Sequence, residues 1–362
     1  MRVLLFETTA YYPSSPLFLE ALQVLTTDQP QQVQYTFVDE ARFERAPRSI
    51  ATRIGCRLLR RPPVDCSALN RSLLEEARSF HPEMLLICKG AFIAPATLAT
   101  IKRETGAILV NYATDDPLNQ RVNTRELVDA IPLYDLYACT KRAIMADVVR
   151  AGCENVIYLP FAYKPSVHFP DPPQTREEHQ RFDSDVVFIG GCDCDRAPFM
   201  KALVRALPGL NLALYGGKWS RSPSLRRYWR GFAVGRDFRM ALGGSKIAIN
   251  LVRRANRDGH VMRSFEIPAC RTFMLAERTD EHLSLFRDRL EASYFKTPED
   301  LIDQVRYYLA NPQERAAIAA AGYGCVVSRG HTYSDRLRDL LNAARSIRQG
   351  RLTQSESVHL AR

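Results

Sequence analysis

The sequence predicts an α/β protein made of two doubly wound domains, each built on a parallel sheet. Short apolar runs typical of buried strands alternate with amphipathic helical segments along both halves of the chain. The chain has 362 residues, which at roughly 100–200 residues per domain suggests two domains. If the domains face each other across a cleft, ligands would bind at the carboxyl ends of the strands.

The first predicted domain spans residues 1–165. Its clearest strand is Met84–Cys88, an unbroken apolar run that ends at Lys89–Gly90. The predicted strands are 3–6, 34–38, 84–88, 108–112, 136–140 and 156–160, and the predicted helices are 17–25, 69–80, 95–104 and 143–151.

Proline and charge without apolar periodicity predict an interdomain linker at 166–184. A second alternating series predicts a domain at 185–330, followed by a helix at 331–348 and a flexible polar tail at 349–362. The predicted strands of this half are 185–190, 210–215, 247–251 and 272–276, and its helices are 197–207, 264–270, 298–309, 312–322 and 334–344.

Composition narrows the class of protein. The formal net charge of +10 suits an anionic partner such as a nucleoside diphosphate, a nucleic acid or an anionic membrane face. The nine cysteines are odd in number and several lie in apolar runs, which indicates reduced thiols in the cytoplasm. Cys192 and Cys194 lack further ligands nearby, so we predict no metal there. We find neither a signal peptide nor a run of about 18 apolar residues.

Two glycine pairs follow predicted strands in the second half. Gly190 and Gly191 precede a helix that begins near Arg196, where glycine lets the backbone approach a phosphate held by helix N–H groups. Lys218 follows a second glycine pair, a place that suits a base or a phosphate. Purely structural turns explain both pairs as well. Lys246 opens a strand and faces either a ligand or solvent.

The segment Asp258–Glu266 gathers polar side chains around a glycine. A carboxylate on a first helical turn, such as Glu266, can accept both hydroxyls of a ribose. Arg263 suits a diphosphate, because a guanidinium meets phosphate oxygens in a fork, and His260 is a further hydrogen-bonding candidate. The alternative for Glu266 is a charge that complements the helix dipole.

Asp115 and Asp116 follow a strand of the first half and precede Pro117. Adjacent carboxylates in a cleft can split their pKa values, which leaves one of them as a base. A helix-capping turn with proline at the first helical position is the competing explanation.

The run 261–270, VMRSFEIPAC, resembles the R-x-F-E-x-x-A-C-G element of the CgeB-like (spore maturation protein type) group 1 glycosyltransferases. Other similar blocks follow in the same order, clearest over residues 85–340: Lys89–Gly90, Asn111–Pro117, Ser245–Ile247 with Asn250, and His331–Tyr333 with Arg336. One departure is Arg271, where the family usually has glycine, so the helix-to-strand turn there is expected to differ.

The resemblance implies the GT-B architecture, with two Rossmann-like domains, and sugar transfer from a nucleotide-diphosphate donor without a metal or other cofactor. It implies that Asp115 or Asp116 activates the acceptor and that Asp258, eight positions before Glu266, lies near the donor sugar. The expected donor-binding residues are Gly190, Gly191, Arg196, Lys218, Lys246, His260, Arg263 and Glu266.

The resemblance also implies a bacterial, cytoplasmic enzyme, and peripheral contact with the inner membrane face is left open. It implies that the last helix packs back on the first domain. The acceptor is undetermined among saccharides, proteins and small molecules, in cell-surface, spore or natural-product glycosylation. Retention and inversion are both open. Rival hypotheses are a sugar-nucleotide epimerase of the same fold and a non-catalytic binding protein. Nucleic acid is not an expected partner, because no finger, helix-turn-helix or basic-aromatic stripe occurs.

Overall fold

A computed structural model describes five stretches of the chain: residues 1–10, 16–28, 31–43, 65–119 and 123–350. The chain forms two compact units. Unit 1 holds residues 1–160, 255–257 and the chain from 333 onward, and unit 2 holds Phe161–Arg254 and Asp258–Thr332. Residues 351–362 of the predicted tail lie outside the described residues.

Unit 1, within the described residues, is built on a six-stranded sheet in the order β2–β1–β3–β4–β5–β6, with every pairing parallel. β3 is buried along its whole length, as expected for a strand with both faces covered. The strands are β1 Arg2–Glu7, β2 Gln34–Asp39, β3 Met84–Cys88, β4 Ile108–Ala113, β5 Leu136–Cys139 and β6 Val156–Tyr158.

The helices of unit 1 carry ordinary end signals. α3 begins at Pro95, whose fixed φ suits a first helical position, and stops before Gly106 in the left-handed conformation. The helices are α1 Leu19–Asp28, α2 Ser67–Phe80, α3 Pro95–Thr105, α4 Arg125–Asp129 and α5 Met145–Arg150, joined by the last helix of the chain, Tyr333–Arg348.

Unit 2 has a five-stranded sheet, in the order β11–β10–β9–β7–β8 among the described residues, again parallel throughout. Alternate residues of β7 enter two different cores, Val186 and Phe188 on one face and Val187 and Ile189 on the other. The strands are β7 Ser184–Ile189, β8 Leu212–Tyr215, β9 Ser245–Asn250, β10 Met274–Glu277 and β11 Ser293–Phe295.

The helices of unit 2 cover both faces of this sheet. In chain order they are α6 Arg176–Phe182, α7 Ala197–Ala206, α8 Arg236–Gly243, α9 Arg263–Ala269, α10 Asp280–Leu285, α11 Pro298–Ala310 and α12 Pro312–Ser328, and Tyr333–Arg348 of unit 1 becomes α13. Two parallel-sheet domains of the Rossmann type were predicted, and the observed sheets confirm them.

The segment predicted as an interdomain linker, 166–184, is instead part of unit 2. Phe182 is buried in the unit 2 core, and Asp171 pairs with Arg239 at 2.9 Å. A capping box at Thr175 and Glu178 starts α6 inside this segment. Prolines interrupt the periodicity there without releasing the chain from the domain.

Candidate functional site

The order in which the chain adds strands to the unit 2 sheet reverses between β7 and β9. The chain runs from β7 outward to β8, and β9 lies on the other side of β7. Such a switch point leaves a crevice outside the carboxyl ends of the two strands, where doubly wound proteins bind their ligands. The crevice is bordered by Gly190 and Gly191 after β7 and by Leu251 after β9.

Arg196 spans this crevice. Its Nη1 donates to the carbonyl of Gly191 at 3.3 Å and its Nη2 to that of Leu251 at 3.4 Å. Burial lowers the pKa of Arg196, and the carboxylates of Asp193 and Asp258 oppose that effect. Its Nε is buried with no partner among the described residues, and a buried donor without an acceptor calls for a water or ligand oxygen.

The two predicted glycine turns pack against each other. Gly216 has a φ of +121°, and a Cβ there would lie 2.5 Å from the carbonyl oxygen of Gly190, so only glycine fits. Cys192 N donates to Gly217 O at 2.9 Å, and Trp219 Nε1 donates to Gly190 O at 2.7 Å. The indole of Trp219 is fully buried, so it is part of the loop core and no platform for a base.

Lys218 is exposed at the carboxyl end of β8 and holds a left-handed φ of +73°. A non-glycine residue with positive φ is strained, and such strain concentrates at functional sites. Asp258 is half-buried, with its amide donating to Arg253 O at 3.3 Å. Both residues therefore lie on the carboxyl side of the unit 2 sheet, and their contacts with a donor stay predictions.

Arg263 opens α9 and is fixed on three sides. Its Nε donates to Ile189 O at 3.3 Å, its Nη1 pairs with Glu266 Oε2, and its guanidinium lies 4.6 Å from the ring centre of Phe238. Its side chain keeps 26% exposure, and Nη2 has no hydrogen-bond partner among the described residues. The guanidinium is therefore held at the end of β7 with one amino group available to a ligand.

Glu266 lies behind Arg263 and is fully buried. Its Oε1 is 3.4 Å from His168 Nε2. Because Lys164 N donates to His168 Nδ1 at 3.1 Å, the proton of the neutral ring is on Nε2, the ring nitrogen near Glu266. Burial lowers the pKa of His168, and the Glu266 carboxylate opposes it. In this arrangement Glu266 holds Arg263, and a ribose contact by Glu266 stays a prediction.

Lys246 does not belong to this site, which corrects the sequence prediction. It is the second residue of β9 and therefore lies near the amino edge of the parallel sheet, opposite the crevice. Its Nζ pairs with Asp185 Oδ1 at 2.7 Å, and it lines a shallow groove there with Asp183.

His260 is also wrongly predicted as a donor contact. Its ring is fully buried, its Nε2 accepts from Phe161 N at 3.1 Å, and its Nδ1 lies 2.6 Å from Glu281 Oε2. Both ring nitrogens are therefore engaged inside the domain.

The acidic pair of unit 1 lies after β4. Asp115 Oδ2 pairs with Lys89 Nζ at 2.8 Å, Asp115 Oδ1 accepts from Asn256 Nδ2 at 3.2 Å, and the carboxyl group keeps 17% exposure. Asp116 is more enclosed: its Oδ2 accepts from Arg257 Nε at 2.7 Å and its Oδ1 from Leu118 N at 3.0 Å. The bond from Leu118 N closes a turn at Asp116, but no described helix begins at Pro117, so the residues that the structure describes do not support helix capping.

Several residues of this region were missed from sequence. Asp193 fixes the turn before α7 by accepting from Arg196 N at 2.9 Å, and an aspartate shortly before a helix is a readable signal. Thr279 before Asp280 and Glu281 is the same kind of signal for α10. Asn256 and Arg257 carried no sequence signal, since their partners lie about 140 positions away.

Within the described stretches, no group of three His, Cys, Asp or Glu side chains is placed to hold a metal ion, and none of the cysteines is in a disulfide. The helices of the same stretches include none that is long and apolar enough to cross a bilayer.

Comparison with solved structures shows full-length similarity at low identity. HepE from Anabaena in complex with UDP and glucose matches with a TM-score of 0.64 and 10% identity over 96% of this chain and 100% of that chain. Sucrose-phosphate synthase from Thermosynechococcus elongatus matches with a TM-score of 0.67 and 10% identity over 97% and 100%. The chain has the GT-B fold.

A putative UDP-N-acetylglucosamine 2-epimerase from Listeria monocytogenes has the same fold, with a TM-score of 0.59 and 11% identity over 96% of this chain and 97% of that chain. Residues 196–342 match the family described as glycosyl transferase-like. A search of curated proteins found no significant match. The family match supports a glycosyltransferase, and the solved structures show the GT-B fold.

Proposed function

We propose that this chain transfers a sugar from a nucleoside-diphosphate donor, which binds at the carboxyl edge of the unit 2 sheet. The observation that carries the proposal is Arg263. Its guanidinium is fixed by Glu266, Ile189 and Phe238 at the end of β7 and keeps one amino group for a ligand. A fixed guanidinium beside a glycine loop and a helix start is suited to a diphosphate.

The chemistry follows from the charges around this crevice. Negative charge develops on the diphosphate as the bond to the sugar breaks. Arg263 and Arg196 supply cations that are already held in place, so they stabilise that charge without reorganisation, and Lys218 adds a third, exposed cation. Gly190 and Gly191 let the backbone come close to the phosphates, and Asp258 is proposed to lie near the donor sugar.

On the acceptor side, we favour Asp115 over Asp116 as the group that accepts the hydroxyl proton. Asp115 keeps solvent exposure, whereas Asp116 is held by Arg257 and by the turn to Leu118. A base must reach the proton that it removes, and Asp115 is the better placed of the two within unit 1.

The finer parts of the proposal rest on the sequence resemblance. They are a CgeB-like subgroup, transfer without a metal, and a bacterial cytoplasmic setting with peripheral contact to the membrane. HepE and its complexes with UDP and UDP-glucose make UDP the first nucleotide to test.

The test is a titration of the purified chain with UDP, GDP, ADP and dTDP, followed by incubation with the matching labelled nucleotide sugars. One nucleotide is expected to raise the melting temperature, because a ligand at 100 times its Kd stabilises the folded state by about 2.7 kcal/mol. Glu266→Gln is expected to weaken that binding, because it loosens Arg263.

The matched control is Glu291→Gln. Glu291, like Glu266, is a buried carboxylate of unit 2 that pairs with arginine. Its partners are Arg287 and Arg329, and it lies between α10 and β11. It is expected to lower stability and leave nucleotide affinity unchanged. Binding without turnover would indicate a non-catalytic protein, conversion of the donor without an acceptor would indicate an epimerase, and no binding at all would reject the proposal.

A further inference from the structure

The segment 259–264, which leads into α9 and includes Arg263, is attached to the start of α10 and is called the donor loop below. Three of the four residues 279–282, namely Thr279, Glu281 and His282, each contact a different point of the segment 259–264. The proposed role for Arg263 needs that segment to hold one conformation, because a donor contact displaced by even about 1 Å loses much of its effect.

Thr279 makes the first attachment and has two separate duties. Its Oγ1 accepts from His282 N at 3.0 Å, which caps α10. The same hydroxyl donates to the carbonyl of Gly259. A hydroxyl can do both at once, since it has one donor and two acceptor positions.

Glu281 makes the second attachment, by a hydrogen bond at 2.6 Å from His260 Nδ1 to Glu281 Oε2. Since His260 Nε2 accepts from Phe161 N, the proton on Nδ1 faces the carboxylate. The fit is tight: a Cβ on Gly259 would lie 2.3 Å from Glu281 Cδ. The loop can approach Glu281 this closely only with glycine at that position.

His282 makes the third attachment through Ser264. His282 Nδ1 donates to Glu277 O at 2.7 Å, which leaves Nε2 to accept from the Ser264 hydroxyl at 2.8 Å. Ser264 Oγ in turn accepts from Val261 N at 3.1 Å and from Asn250 Nδ2 at 3.0 Å. The hydroxyl thereby fills its one donor and two acceptor positions.

The network lies immediately behind the ligand-facing side chains. Ser264 follows Arg263, and Asn250 is the last residue of β9, at the switch point. Ser264, His282 and Asn250 are all buried. A fully satisfied buried network of this kind fixes one arrangement, because any alternative leaves polar groups without partners.

We propose that Thr279, Glu281 and His282 are positioning residues, which set the donor loop 259–264 and thereby the aim of Arg263 at the donor diphosphate. The inference rests on the proposed function. It assigns no direct ligand contact to these three residues, and it explains why His260 is buried rather than exposed in the crevice.

The first test compares two threonine caps of unit 2. Thr297 caps α11 as Thr279 caps α10, with its Oγ1 accepting from Asp300 N at 3.2 Å. Among the described residues, the Thr297 side chain makes no hydrogen bond to the donor loop. Thr279→Ala and Thr297→Ala are therefore expected to lower the melting temperature by similar amounts. Only Thr279→Ala is expected to weaken UDP binding, by about three- to tenfold, and Thr279→Ser is expected to restore it.

Hydrogen exchange of amides 259–264 supplies the second readout. These amides are expected to exchange faster in Thr279→Ala than in Thr297→Ala. Gly259→Ala is a further variant, which should act like Thr279→Ala because its methyl group displaces the loop from Glu281. Gly209→Ala is its control, since a Cβ there meets nothing within 4 Å.

The outcomes separate this inference from the proposed function. If the wild-type chain binds none of UDP, GDP, ADP and dTDP, the proposed function and the inference both fall. If the wild-type chain binds one of them and Thr279→Ala binds it as tightly as Thr297→Ala, the inference alone is overturned. Weaker binding together with faster loop exchange, both reversed in Thr279→Ser, supports it.

Discussion

At the switch point of unit 1, between β1 and β3, the chain places a carboxylate, whereas at that of unit 2, between β7 and β9, it places two guanidinium groups. Glu7 ends β1, is buried, and accepts hydrogen bonds from Leu17 N and Phe18 N just before α1. Burial, followed by the charge of Glu7, raises the pKa of the neighbouring Cys88 thiol.

The difference indicates which unit takes a phosphate. N–H groups at the start of a helix after the first strand are the usual anion site of a doubly wound domain. In unit 1 that position already contains the chain's own anion. In unit 2 two glycines follow the strand, and Arg196 and Arg263 line the crevice. One fold therefore supports two electrostatically opposite sites.

The largest expected effect is on Arg263. Arg263→Ala should raise the Kd for UDP about 10- to 100-fold, because hydrogen bonds to charged groups contribute about 1.5–3 kcal/mol. The Kd of Arg263→Lys should lie between those of the wild type and Arg263→Ala, since a lysine keeps the charge and loses the forked hydrogen bonds. The matched control is Arg329→Ala, which removes a partner of the buried Glu291 and should affect stability alone. Equal UDP affinity in the two alanine variants would contradict the account.

Acidification should lower the stability of unit 2 before that of unit 1. Burial lowers the pKa of His282 from 6.5 to about 4, with a smaller contribution from His260. Below pH 6.5 the unfolded chain binds a proton at His282 that the folded chain does not bind until the pH approaches 4. The stability contributed by neutral His282 is therefore fully present above pH 6.5 and is lost as the pH falls toward 4. Between pH 7 and pH 5 the loss is about 2 kcal/mol.

Hydrogen exchange resolved by unit is the measurement for this prediction. The histidine of unit 1 within the described residues, His81, is exposed, whereas His282 is buried. Slowly exchanging amides of β9 and β10 should therefore lose protection at pH 5 relative to those of β3 and β4, after correction for the intrinsic rate. Equal losses in both sheets would count against a role for His282.

Glu7→Gln tests the comparison from the unit 1 side. The new amide group would face two backbone N–H donors, so the free energy of unfolding should fall by about 1–2 kcal/mol. Affinity for UDP should stay within about twofold of wild type, because the account assigns the nucleotide to unit 2. Calorimetry of the variant decides this, and a lost UDP site with an intact fold would reverse the assignment of the two units.

The smallest effect concerns Arg271, where the resembling family has glycine. Arg271 holds a left-handed φ of +57°, and its amide donates to Pro268 O at 2.8 Å, so the helix-to-strand turn forms without glycine. Arg271→Gly should remove the strain of the left-handed φ and raise the free energy of unfolding, measured by urea titration, by about 0.5–1 kcal/mol. The control is Lys296→Gly, at an exposed position whose φ is not positive, and this change should lower the free energy of unfolding.

The sequence sufficed where a local pattern determines the structure. β3 is predicted at its observed bounds because a strand buried on both faces is an unbroken apolar run. Arg263 and Glu266 could be grouped because residues three apart share a helix face. Lys246 was wrongly predicted as a donor contact although the predicted topology already opposed it, since a residue near the start of a parallel strand lies opposite the carboxyl ends.

Long-range contacts decided the rest. His260 has a ligand's chemistry, but its partners Phe161 and Glu281 lie 99 and 21 positions away, so its burial had no local signal. β11 has three residues, too few for a period to be read. Glu266 was predicted as a ribose contact on its chemistry, and only the structure places Arg263 across it.

The central claim is that the nucleotide binds at the unit 2 switch point. Hydrogen exchange of the wild-type chain with and without saturating UDP tests it most directly. The account predicts protection of amides at 190–196, 216–218 and 261–266, with no change at the ends of β1 and β3. Protection at the end of β1, with unit 2 unchanged, would contradict it.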